Sequence, residues 1–197
     1  MFITKKAFKD LVKAAYKTGS LYVFNDGEGY RIKGGYWDMW IKIKAFPKEY
    51  KAVMIELIED LPGIGTGGNY TKDGIQQEIP EILDLRTLCE HQGPDYSNTG
   101  IRFINGRGEE LSIMQSNHKS ILLPYSHIIN GISGAVIDDE NGETLPFGPW
   151  NPVDNILAWK NNVMSFITFC RMDIAVRNFV CFMQQENLWT LINGEGD

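Results

Sequence analysis

A chain of 197 residues that is 43% hydrophobic and 12% aromatic, with 22% charged residues, carries enough apolar surface to bury a core in one domain or two small ones, which excludes a disordered or low-complexity protein. The formal charge of −6 excludes a molecule whose whole surface grips nucleic acid, yet leaves room for a local basic face. Lysines occupy the N-terminal stretch where a signal peptide needs an apolar run, and no segment approaches the roughly 18 uninterrupted apolar residues of a membrane span, so a soluble cytoplasmic protein is expected.

Residues 5–17 repeat apolar side chains at Phe8, Leu11, Val12 and Ala15, the spacing of an amphipathic helix that Thr4 is placed to cap. At about 100° per residue, Lys6, Lys9, Lys13 and Lys17 gather on the opposite face, where Asp10 is the single acid. "SLYVFNDGEGYRIKGG" follows, two β-rich runs around Asp26-Gly27, a hairpin turn pair. In "YWDMWIKIK" the residues Trp37, Met39, Ile41 and Ile43 alternate with Asp38, Lys42 and Lys44, a third strand with one buried face and Trp40 on its outer side. Pro47 opens a second helix with the apolar stripe Tyr50, Val53, Met54, Leu57, Ile58 and Leu61.

The next segment, Asp60 to Gly74, matches G-x-G-x-x-G at Gly63, Gly65 and Gly68. A dinucleotide cradle needs a strand before those glycines and a helix after them. Here a helix precedes and the strand-and-turn sequence "NYTKDG" follows, so the glycines are read as a connection.

The second half repeats the order. "IPEILDLRTLCEHQ" reads as a helix with Leu85, Leu88 and Cys89 inward, "NTGIRFINGRGEELSIM" as a hairpin around Asn105-Gly106, and "HKSILLPYSHIINGIS" as a strand, Pro124 and a helix facing inward through Ile128, Ile129 and Ile132. Phe8, Leu11, Val12 and Pro47 recur at an offset of 77 residues as Leu85, Leu88, Cys89 and Pro124, which suggests a duplicated unit. The units expected are residues 1–78 and residues 79–197 with a C-terminal extension, able to form one compact domain. "AVIDDENGETL" reads as a hairpin through Asn141-Gly142 and "NILAWKNNVMSFITFCR" as strands around Asn161-Asn162; residues 174–192 fit strand or helix equally. The fold class is α+β, with antiparallel sheets and helices packed on one face.

No residue pattern carries catalysis. Cys89, Cys170 and Cys181 have neither zinc nor redox spacing and read as reduced core thiols, and His91, His118 and His127 lack metal-ligand spacing, so no metal, cofactor or catalytic residue is expected. Asp138, Asp139, Glu140 and Glu143 cluster, but the calcium-loop register fails and a solvated hairpin tip is the better reading. The five tryptophans and "LPFGPW", Leu145 to Trp150, read first as core and loop packing, second as a partner-binding surface.

The stretches "KKAFKDLVKAAYK", "LYVFNDGEGYRIKGGYWDMWIKIK" and "PKEYKAVMIELIEDLPG", with their echoes through "LLPYSHIINGISGAVIDDENG", give an arrangement that resembles a DNA sliding clamp over residues 4 to 170. The resemblance implies helices lining a ring, with Lys6, Lys9, Lys13 and Lys17 as the wall facing double-stranded DNA, a homo-oligomer, and a protein partner at an unspecified surface. The alternative is a protein-interaction module or inhibitor of the phage or mobile-element type, binding a macromolecular target through an acidic or aromatic surface without nucleic acid.

Overall fold

A computed structural model describes residues 1–76, 85–90, 93–118, 120–132 and 143–171. Most of the predicted acidic hairpin, the flanks of the helix read around Leu85, His91, Cys181, Trp189 and residues 174–192 lie outside the described residues. The fold is α+β, with one eight-stranded and one three-stranded antiparallel sheet.

The first helix, α1 (Lys5–Lys17), begins where expected: the Thr4 hydroxyl accepts from the Ala7 amide at 3.3 Å, which satisfies one of the free N–H groups of the first turn. It buries Phe8, Leu11, Val12 and Ala15. Strands β1 (Leu21–Asn25), β2 (Gly29–Lys33) and β3 (Trp37–Lys42) form an antiparallel meander. At its first turn the Asp26 carboxylate accepts from the amides of Glu28 and Gly29, and Gly27 takes φ +92°, a conformation open to glycine. Strand β3 stops at Lys42, short of the predicted end, because Ile43–Ala45 tighten into a 3-10 turn that leaves Ile43 half-buried.

After Pro47, α2 (Lys48–Ile58) lays Tyr50, Val53, Met54 and Ile58 against α1, with the Phe8 and Tyr50 rings stacked at 4.0 Å. The glycine segment is a connection, as the sequence order predicted. It leads into β4 (Gly67–Thr71), which pairs with β1, and β5 (Gly74–Gln76). At Gly67, beside the motif's last glycine, an added Cβ would sit 2.3 Å from the Val23 carbonyl oxygen, so the glycine permits close strand approach.

The short helix α3 (Leu85–Leu88) precedes the hairpin β6 (Tyr96–Ile104) and β7 (Glu110–Ser116), which with β8 (Ile121–Leu122) makes the small sheet. One turn of helix, α4 (Ser126–Ile129), follows. Strands β9 (Phe147–Trp150), β10 (Ile156–Lys160) and β11 (Met164–Phe169) complete the large sheet, ordered β5-β4-β1-β2-β3-β11-β10-β9. Strand β3 is therefore bonded to β11, from the far end of the described chain.

The two-residue strand period sorts the large sheet into two faces. Trp37, Met39, Ile41, Leu157, Trp159 and Phe166 join the core under α1 and α2. Trp40, Ile156, Ala158 and Ile167 project to the other side and pack with Leu85, Leu88 and Cys89 of the α3 segment. Trp40 thus belongs to a second, smaller core. Arg86 holds α3 there, with its guanidinium 5.3 Å from the Trp40 ring centre and paired with Glu28. Among the described residues no helix is long and apolar enough to cross a membrane.

Candidate functional site

The four lysines of the predicted face do stand together on the solvent side of α1. Lys6, Lys9 and Lys17 are exposed and Lys13 is half-exposed. Their surroundings are less positive than the sequence implied. Lys6 bonds Asp10 one turn on at 2.8 Å, and Lys13 reaches across to Glu56 of α2 at 2.8 Å. The first contact raises the Lys6 pKa; the second, with Lys9 nearby, holds the Glu56 carboxyl below its ordinary range. Lys9 and Lys17 make no ion pair among the described residues. Sequence reading found Asp10 because it lies on the same helix. It missed Glu56 because helix pairing brings that residue in from 43 positions away.

On the other flank of α1, the Thr4 amide donates to the Gly131 carbonyl and sets α4 beside the helix start. His127 of α4 meets the Tyr36 hydroxyl at 3.0 Å, and Tyr36 lies against Tyr125 with ring centres 4.4 Å apart. Burial lowers the His127 pKa, against the pull of Asp10. Beneath this group Glu109 accepts from Asn105 at 2.6 Å and from Arg171 at 2.8 Å, contacts that lower its pKa. No single segment announces this cluster, since Tyr36, Glu109, Arg171 and the pair Tyr125 and His127 come from four separate places in the chain.

The Ser126 hydroxyl is buried and meets Ser112 at 3.1 Å, while the His127 ring nitrogen is engaged by Tyr36. Cys89 and Cys170 are free and buried; burial pushes the Cys89 thiol up to about 11 despite its bond to Ser165, and raises Cys170 as well. Both are core thiols, as predicted. His118 is exposed in the β7–β8 turn. Among the described residues no group of three or more His, Cys, Asp or Glu side chains could hold a metal ion. The acidic-tip reading fails for Glu143, which is buried and pairs with the Met1 amino group.

The tryptophans Trp37, Trp150 and Trp159 are core residues, each at most 4% exposed. Around β9, by contrast, Leu145, Phe147 and Val153 stand 58%, 68% and 50% exposed. A second set of basic residues lies where the sequence singled out nothing: Lys5, Lys44 and Lys48 line a cavity at the starts of α1 and α2. The run "KIKAFPK" was the available signal, hidden by its division among a strand, a turn and a helix.

No protein-family model matches the chain, and no curated protein sequence matches it. Among solved structures it is similar to the beta chain of DNA polymerase III from Streptococcus pneumoniae TIGR4, at 12% identity and a TM-score of 0.32. The likeness covers 88% of this chain but 64% of that one, so this chain spans less than two thirds of its length. At that score the likeness carries no argument about function.

Proposed function

We propose that this is a non-enzymatic binding protein that contacts nucleic-acid backbone through the lysine face of α1 and recruits a protein partner. The observation that carries the reading is the sorting of that helix: Phe8, Leu11, Val12 and Ala15 are buried while Lys6, Lys9 and Lys17 are exposed, in a chain of formal charge −6. The carboxylates of Asp10 and Glu56 oppose it only weakly. Both pairs are open to water, which screens the attraction, so phosphate oxygens can replace those partners at small cost. Affinity would come from counterion release, with a slope in log affinity against log salt of about −0.9 per duplex phosphate neutralised.

The test is duplex DNA retention measured across a salt series for the parent and for the fourfold variant Lys6→Glu, Lys9→Glu, Lys13→Glu, Lys17→Glu. Steep salt dependence in the parent and loss of retention in the variant are expected. A parent that does not bind, or a variant that binds as well, overturns the reading. A ring-forming homo-oligomer, which the sequence's resemblance to sliding clamps implies, is checked separately by mass in solution.

A second reading draws on the exposed Leu145, Phe147 and Val153 beside the sheet edge. In it the protein is an interaction module or inhibitor that docks a macromolecular target through this apolar rim, because exposed large apolar groups in one region favour protein contact. Replacing Leu145 and Phe147 by Ser would then abolish partner capture, and no DNA retention would be seen in the parent.

A further inference from the structure

The end of the molecule where α1 and α2 begin carries a different positive feature. The helices run parallel, since Phe8 stacks on Tyr50 near both starts and Lys13 reaches Glu56 farther along both. Their positive dipole ends therefore point the same way. A cavity of about 650 Å³ opens at this end, within the usual size range of small-ligand sites.

Its apolar lining includes Ile3, Phe46, Pro47 and Tyr50, with Phe46 set between Tyr30 at 5.2 Å and Tyr50 at 6.4 Å between ring centres. That places an aromatic wall along one side. The charged lining is mostly cationic: Lys5, Lys44 and Lys48 are exposed and make no ion pair among the described residues. Among the described residues two carboxylates line the cavity. Glu143 is paired with the Met1 amino group, which leaves Glu49 as the described acid opposing three ammonium groups. Nor does a side chain cap α2, whose N-cap is Pro47.

An apolar recess rimmed by three lysines that make no ion pair among the described residues, at the positive ends of two helices, has the chemistry of one ligand class. We propose that the cavity binds a small organic anion: a phosphate or carboxylate head held by Lys5, Lys44 and Lys48, on an aromatic or aliphatic body seated against Phe46 and Tyr50. The site is separate from the α1 face, because none of Lys6, Lys9, Lys13 and Lys17 lines it.

Isothermal titration calorimetry of the full chain with phenyl phosphate and with benzoate tests this, with inorganic phosphate and phenol as the isolated halves. At least one amphipathic anion is expected to saturate, and whichever binds more tightly identifies the head group. The variant Lys5→Glu, Lys44→Glu, Lys48→Glu is expected to weaken binding at least about tenfold, the factor equivalent to 1.4 kcal/mol. Reversing Lys6, Lys9 and Lys17 instead should leave it unchanged, which separates this site from the face proposed for nucleic acid. All six lysines are exposed, so these changes spare the core. The inference is overturned if neither anion saturates at millimolar concentration, if phenol binds as tightly, or if the Lys5, Lys44, Lys48 variant retains parental affinity.

Discussion

On one face of the eight-stranded sheet, α1 and α2 cover a continuous apolar layer that includes Trp37, Met39, Ile41 and Phe166; on the other, α3 covers Ile156, Ala158 and Ile167 beside a buried ion pair. In that pair the Arg31 Nη2 lies 2.6 Å from Asp38, whose carboxylate also accepts from Arg31 Nε at 3.1 Å. Burial raises the Asp38 pKa although Arg31 pulls it down. The first face is held by nondirectional burial, which tolerates small shifts in geometry. The second depends on one charge finding another in a place where neither is solvated.

The sharpest way to break this comparison is at Asp38. Asp38→Ala strands the Arg31 guanidinium in the sheet and is expected to cost about 3–5 kcal/mol in urea unfolding, whereas the apolar pair Arg31→Met with Asp38→Leu should recover most of that loss. If the single change costs little, the second face is not organised around the pair. Phe8→Ala on the first face removes a fully buried ring and its stack on Tyr50, with an expected loss of about 3–5 kcal/mol and no rescue by a charge partner. Thr4→Ala frees one amide at the start of α1 and should lower stability by about 1 kcal/mol in the same assay.

The smallest effect is a pH dependence at the edge of the first face. His127 is depressed by burial, so its contribution to stability is complete above the ordinary histidine pKa of about 6.5 and is lost as pH falls through the lower folded value. Comparing unfolding midpoints on either side of that window for the parent and for His127→Gln should show a slope in the first that is reduced in the second. An unchanged slope would assign the acid sensitivity elsewhere.

The sequence announced what repeats along a single element. The i, i+3, i+4 spacing gave α1 its buried residues, and Asp26-Gly27 and Asn161-Asn162 marked turns that the strands confirm. What crosses between elements was invisible. Trp40 looked like an outward residue because β3 has two faces and its period cannot say whether something covers the second. Glu56 reaches Lys13, and Lys5, Lys44 and Lys48 meet, only after Pro47 turns the chain and α2 lies alongside α1. Such convergences are set by packing, and local periodicity does not encode them.

The bond between β3 and β11 has a consequence for synthesis. When Lys42 leaves the ribosome, the strand that will flank it has yet to be translated, and at typical elongation rates the wait is on the order of ten seconds. Throughout that interval an apolar strand edge is open to any other extended chain. A chaperone that covers this edge would therefore protect the nascent chain, and slower translation of the intervening segment would lengthen its exposure.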